Sequence, residues 1–78
     1  MVKLASIGGV IIRIYSGDHP PAHVHVYAAS ERAVVDIETG TILAGALSNR
    51  TRKIVAEWLA ENRHQARAAF DRLNPLRT

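Results

Sequence analysis

The apolar residues of this chain change their spacing near residue 48, and that change limits the folds open to it. Before residue 48 they alternate with polar ones, and after it they recur three and four positions apart. Alternation sends successive side chains to opposite faces of a strand, whereas the three-and-four spacing lines one side of a helix. The expected fold is therefore α+β, with four antiparallel strands followed by one long C-terminal amphipathic helix in the order ββββα.

The strands follow from the pattern. In Val10-Ile11-Ile12-Arg13-Ile14-Tyr15, residues 10, 12 and 14 form one apolar row, and Arg13 and Tyr15 share the other face with Ile11. Ser16-Gly17-Asp18 turns the chain. Pro20 and Pro21 hold the next residues extended and offer no amide to a sheet, so the second strand starts after them. It runs from Ala22 to Ala28, with Val24 and Val26 on one side and His23, His25 and Tyr27 on the other. Ala29-Ser30-Glu31 reads as a hairpin connection. The third strand, Arg32 to Glu38, turns Val35 and Ile37 one way and Val34, Asp36 and Glu38 the other. Thr39-Gly40 leads into a fourth strand, Thr41 to Ala44, which Gly45 ends.

Ser48 or Asn49 is placed to cap a helix running from about residue 49 to 73, and Asn74-Pro75 stops it. Ile54, Val55, Trp58, Leu59, Ala66, Ala69, Phe70 and Leu73 form its stripe, broken by Asn62. Trp58 and Phe70 are expected in the core, and His64, off the stripe beside Arg63, in solvent. Such a helix is ~37 Å long, and a six-residue strand spans only ~20 Å. Its far end must either break and fold back or bury Phe70 and Leu73 against another chain. The second outcome is favoured here.

A chain of 78 residues is one domain, residues 1–78, with a thin core, which makes a dimer or a small protein partner an expectation. It has no cysteine, so neither disulfides nor thiolate metal sites enter the account. No apolar run approaches the roughly 20 residues that cross a bilayer, and no secretory signal order is present, so no membrane role and a cytoplasmic location are expected. The net charge of +3 is unevenly placed: three basic face four acidic side chains before residue 48, and seven face three after it. The basic C-terminal segment reads chiefly as a solvated helix face.

Three of the four histidines fall within Asp18-His19-Pro20-Pro21-Ala22-His23-Val24-His25-Val26. Strand alternation places His23 and His25 side by side, and if the valines go under the helix, the imidazoles lie on the face away from it with Arg13, Tyr15, Asp36 and Glu38. Three chemistries suit this set. His23 and His25 as acid and base, with Arg13 on an anionic oxygen, would cleave a phosphodiester without metal. His23 and His25 with Asp18, His19 or Asp36 would ligate a divalent metal such as zinc. Alternatively the set recognises a ligand and turns nothing over. Recognition is favoured and no cofactor is expected, with zinc the less favoured alternative. Asp36 and Glu38 have an equally good role flanking the Thr39-Gly40 turn or pairing with Arg13 or Arg32.

The nine-residue block, with Asp36-Ile37-Glu38-Thr39-Gly40, Glu57-Trp58 and the upstream Val10 to Tyr15, resembles a bacterial family of small proteins known as a domain of unknown function. Its pattern is Asp-His-x-Pro-Pro-His-x-His-Val, then an Asp-Ile-x-x-Gly hairpin and a helix centred on Glu-Trp. The resemblance spans about residues 7 to 70. This chain departs from it twice: one residue fewer separates Asp-His from the prolines, and Asn62 stands where a histidine follows the tryptophan by four residues. The resemblance implies a compact protein acting on nucleic acid or with a second small protein, in the manner of toxin and antitoxin pairs. The function expected is binding of RNA or DNA phosphate, or of a small partner, through Arg13, His23 and His25, with Asp18, His19, Tyr15 and Asp36 contributing. The alternatives are a metal-independent ribonuclease and a pure interaction module working through the helix end.

Overall fold

The computed structural model describes residues 1–75. Strands β1 (Val2–Ile7), β2 (Val10–Ile14), β3 (His23–Ala28), β4 (Glu31–Asp36) and β5 (Ile42–Ala46) pair antiparallel in sequential order, and helix α1 (Asn49–Leu73) follows. The α+β class and the single C-terminal helix hold, but the sheet has five strands, not four.

The extra strand is β1. Its side chains do not alternate cleanly, because the pairing with β2 slips between Lys3 and Ala5 and changes which face each residue meets. The turn that joins it to β2 is legible. Gly8 and Gly9 both have positive φ, +54° and +84°, as a two-residue hairpin turn of the type that matches strand twist requires.

β4 ends at Asp36, two residues short of the expected Glu38, because the Asp36 Oδ1 accepts the amides of Glu38 (2.7 Å) and Thr39 (3.1 Å) and bends the chain into its turn. Gly45 does not end β5 but lies inside it, opposite Ala33.

Val10, Ile12, Ile14, Val24, Val26, Val35 and Ile37 make one buried row beneath Val55, Leu59, Ala66, Ala69 and Phe70 of α1. Burying each of the larger of these side chains is worth about 1.5–3 kcal/mol, so this single layer carries most of the stability. Trp58 is only half-buried at its margin, and His64 is exposed as expected.

The helix end does not need a second chain. The backbone at Asn62 leaves helical geometry (φ −128°, ψ 16°), and its side-chain amide donates to the Trp58 carbonyl at 2.9 Å. The helix kinks there, and its second half turns onto the sheet; the whole molecule is only 34 Å in its longest dimension, short of the ~37 Å a straight helix needs. Phe70 is 3% exposed within its own chain, which corrects the expectation that it is buried against another one.

At the other end Ser48 is the N-cap, its hydroxyl accepting the Thr51 amide at 3.3 Å. The Glu31 carboxylate ties this cap to β4, accepting from the Ser48 amide, the Ser48 hydroxyl (3.1 Å) and the Thr51 hydroxyl (3.0 Å). The Ser48 amide first, then the hydroxyls and Arg50, hold Glu31 below its ordinary 4.5. A carboxyl lowered by folding stabilises the native state above its unfolded pKa and ceases to do so as pH falls through the folded value. Glu31→Gln is therefore expected to lower the melting temperature at pH 7, with the difference from the parent shrinking to nothing as pH falls below 4.5; thermal melts across that range check it.

Candidate functional site

The face of the sheet away from the helix is built by cross-strand partners. Lys3 faces Arg13, Arg13 faces His25, and Tyr27 faces Arg32. Partners across an antiparallel ladder share a face, so three cations, Lys3, Arg13 and Arg32, join His25 and Tyr27 on one surface. The positive charge is thus not confined to the C-terminal helix.

Two clusters lie on this surface. In the first, the Tyr15 and Tyr27 hydroxyls are 2.8 Å apart, and the guanidiniums of Arg13 and Arg32 lie 5.3 and 5.6 Å from the centre of the Tyr27 ring. The hydrogen bond from Tyr27, then Arg13, hold the Tyr15 phenol below its ordinary 10.0, and the same Tyr15–Tyr27 bond holds Tyr27 above it. Among the described residues neither arginine is in an ion pair with a carboxylate, and Arg13 Nε is a buried donor with no acceptor.

In the second cluster, His23 Nε2 and His25 Nε2 each lie 3.1 Å from the same Asp18 oxygen, Oδ2. The two rings are 5.1 Å apart, and the edge of one of the pair Tyr15 and His25 meets the face of the other at 4.6 Å. The side chains of His25 and Asp18 are each 22% exposed, whereas His23 is largely sealed, with Phe70 5.5 Å away. The sheet thus presents both imidazoles on one surface, as strand alternation required, but the C-terminal half of the helix covers part of His23.

Asp18 reaches the histidines because its loop is clamped. Buried Asn74, just past the helix, accepts the Asp18 amide on Oδ1 (2.9 Å) and donates from Nδ2 to the carbonyls of Tyr15 and Phe70, each at 3.1 Å. The sequence marks Asn74 only as a helix stop; its positioning role depends on residues 56 and 59 positions away.

Of the other candidates, Asp36 spends one carboxylate oxygen on its turn, and His19 is exposed in the loop outside the Asp18, His23 and His25 group. Glu38 turns to the helix and pairs with Arg67 at 2.8 Å rather than with Arg13 or Arg32. Tyr27 and Arg32 were not among the expected site residues, although the i+2 spacing of Tyr27 from His25 placed it on the same face. A groove of about 890 Å³ lies elsewhere, between β5 and the first half of α1, lined by Ile42, Leu47, Arg52, Lys53 and Val55 among others.

A family described as a domain of unknown function, DUF4160, matches residues 9–71. The chain belongs to the DUF4160 family. No curated protein and no solved structure matches it. The DUF4160 match contains both clusters in full and leaves Lys3 and Asn74 outside it. No helix among the described residues is long and apolar enough to cross a membrane.

Proposed function

We propose that this DUF4160 protein binds single-stranded nucleic acid on the helix-free face of its sheet, with Arg13, Arg32 and Lys3 on phosphates and Tyr27 against a base. The observation that carries this reading is the pair of guanidiniums held against one tyrosine ring without carboxylate partners. Two like charges so placed repel each other, and an anion between or beside them removes that cost. Cations interleaved with an aromatic on an open sheet are the combination by which single strands are held, charge following the backbone and rings stacking on bases. The likeness to toxin and antitoxin pairs adds a small protein partner to this reading and rests on sequence resemblance alone.

The ribonuclease reading is less well supported. An acid and a base acting on a phosphodiester need the phosphate between them, and here the space between His23 and His25 is taken by the Asp18 carboxylate, itself repelled by phosphate.

Fluorescence anisotropy with a labelled single-stranded RNA and its DNA counterpart tests the proposal. Arg13→Ala with Arg32→Ala is expected to weaken binding at least tenfold and to flatten the dependence of log K on log salt by about 0.7 for each phosphate that is no longer neutralised. Tyr27→Ala is expected to cost about 1–3 kcal/mol. Unchanged affinity in both would refute the reading, and RNA cleavage lost in His25→Ala would favour the ribonuclease instead.

A further inference from the structure

We infer that Asp18, His23 and His25 form a binding site for a divalent transition-metal ion of the zinc class. The inference stands apart from the nucleic-acid reading, because it uses the second cluster and none of the arginines.

The argument starts from one hydrogen bond. His23 Nδ1 lies 2.8 Å from the Pro21 carbonyl oxygen. A carbonyl can only accept, so Nδ1 carries the proton, and in the neutral ring the other nitrogen, Nε2, presents a lone pair. Asp18 Oδ2 lies 3.1 Å from that nitrogen. His25 Nε2 approaches the same oxygen at 3.1 Å from its own side. A nitrogen lone pair and a carboxylate oxygen do not approach so closely without something positive between them.

Either a proton on His23 Nε2 or a shared cation meets that need, and three features favour the cation. The three donor atoms lie within 4.8 Å of one another, and ligands held about 2.0–2.2 Å from a common zinc ion stand a little over 3 Å apart, close to the 3.1 Å that separates each imidazole nitrogen from Asp18 Oδ2. The backbone acceptor on His23 Nδ1 is the outer contact that fixes the tautomer and orientation of a metal-binding histidine. The Asp18 ligand is held from behind by Asn74 through its backbone amide, so its place does not depend on the ion. Two histidines and one carboxylate are a donor set that suits zinc, iron or cobalt and disfavours magnesium or calcium, which take oxygen ligands. Three protein ligands leave a coordination position for water, and the partial exposure of Asp18 and His25 gives it a path.

Calorimetric titration of the untagged, chelator-stripped full chain with zinc chloride tests this, with cobalt chloride as a visible-spectrum probe of coordination. The expected result is one equivalent bound per chain, a cobalt spectrum with the intensity of low-coordinate nitrogen and oxygen ligation, and affinity at least tenfold weaker in His25→Ala and in Asp18→Asn. His64→Ala, an exposed histidine on the helix, should leave binding unchanged. His25 is partly exposed, and circular dichroism verifies that its variant stays folded; His25→Gln, which keeps more of the side chain, repeats the test if it does not. Failure of the parent chain to take up zinc would show that a proton closes the triad. Uptake insensitive to both substitutions would place the metal elsewhere. Either result overturns the inference.

Discussion

Gly45→Ala is expected to destabilise the protein by about 3 kcal/mol or more. Gly45 sits inside β5 at φ +81°, a backbone conformation that side-chain-bearing residues avoid. A Cβ there would lie 2.2 Å from the Arg32 carbonyl oxygen and 2.9 Å from the Ala33 Cα. Both are backbone atoms of β4, so neither can swing aside as a side-chain tip could, and relief requires the two strands to part. Against a total stability of roughly 4–12 kcal/mol for a domain of this size, the loss is a large fraction. Gly40→Ala separates the two causes. Gly40 has a similar φ of +76° with nothing near its missing Cβ, so it should cost only the conformational part, about 1 kcal/mol. Urea unfolding of both variants checks this, and a Gly45→Ala midpoint as close to the parent as that of Gly40→Ala would show that β4 and β5 do not meet as described.

Phe70→Ala is expected to cost about 3–5 kcal/mol, the usual range for emptying a buried aromatic position. Phe70 is 3% exposed, packs beside His23 and borders a small cavity lined by Pro20, Pro21 and Ala22. The substitution should therefore also expose the His23 ring and speed exchange of its Nδ1 proton, which NMR can follow. The measurement distinguishes two architectures. A Phe70 buried in its own chain lowers the unfolding midpoint independently of protein concentration, whereas a Phe70 at an interface changes the oligomeric state and makes that midpoint concentration-dependent.

Much of this site was legible because it depends on local geometry. Alternation alone put His23 and His25 on one surface and Val24 and Val26 on the other, and the structure keeps that division with the valines fully buried. Arg13 and Tyr15 followed from the same rule applied one strand earlier. What alternation could not supply is which carboxylate meets the imidazoles. Asp18 and Asp36 were both open as partners of the imidazoles, and Glu38 was expected on the same face. The Asp36 turn takes one of its oxygens, Arg67 draws Glu38 to the helix side, and the Asn74 clamp leaves Asp18 facing both rings. β1 was missed for a related reason: a slip in its pairing with β2 erases the two-residue period by which a strand is read.

By itself, then, the order of residues determined the change from strand to helix near residue 48, the helix limits Asn49 and Leu73, the facing of the histidine strand and the place of the loop that precedes it. These depend on contacts within a few residues, and such contacts repeat with the period of the element. Only the tertiary structure decided the kink at Asn62, the burial of Phe70 on its own sheet, the grouping of Arg13 with Arg32 around Tyr27, and the convergence of Asp18 with His23 and His25. Each of these joins groups far apart along the chain, and their meeting is set by how the helix lies across the strands, a choice made by packing the whole core at once.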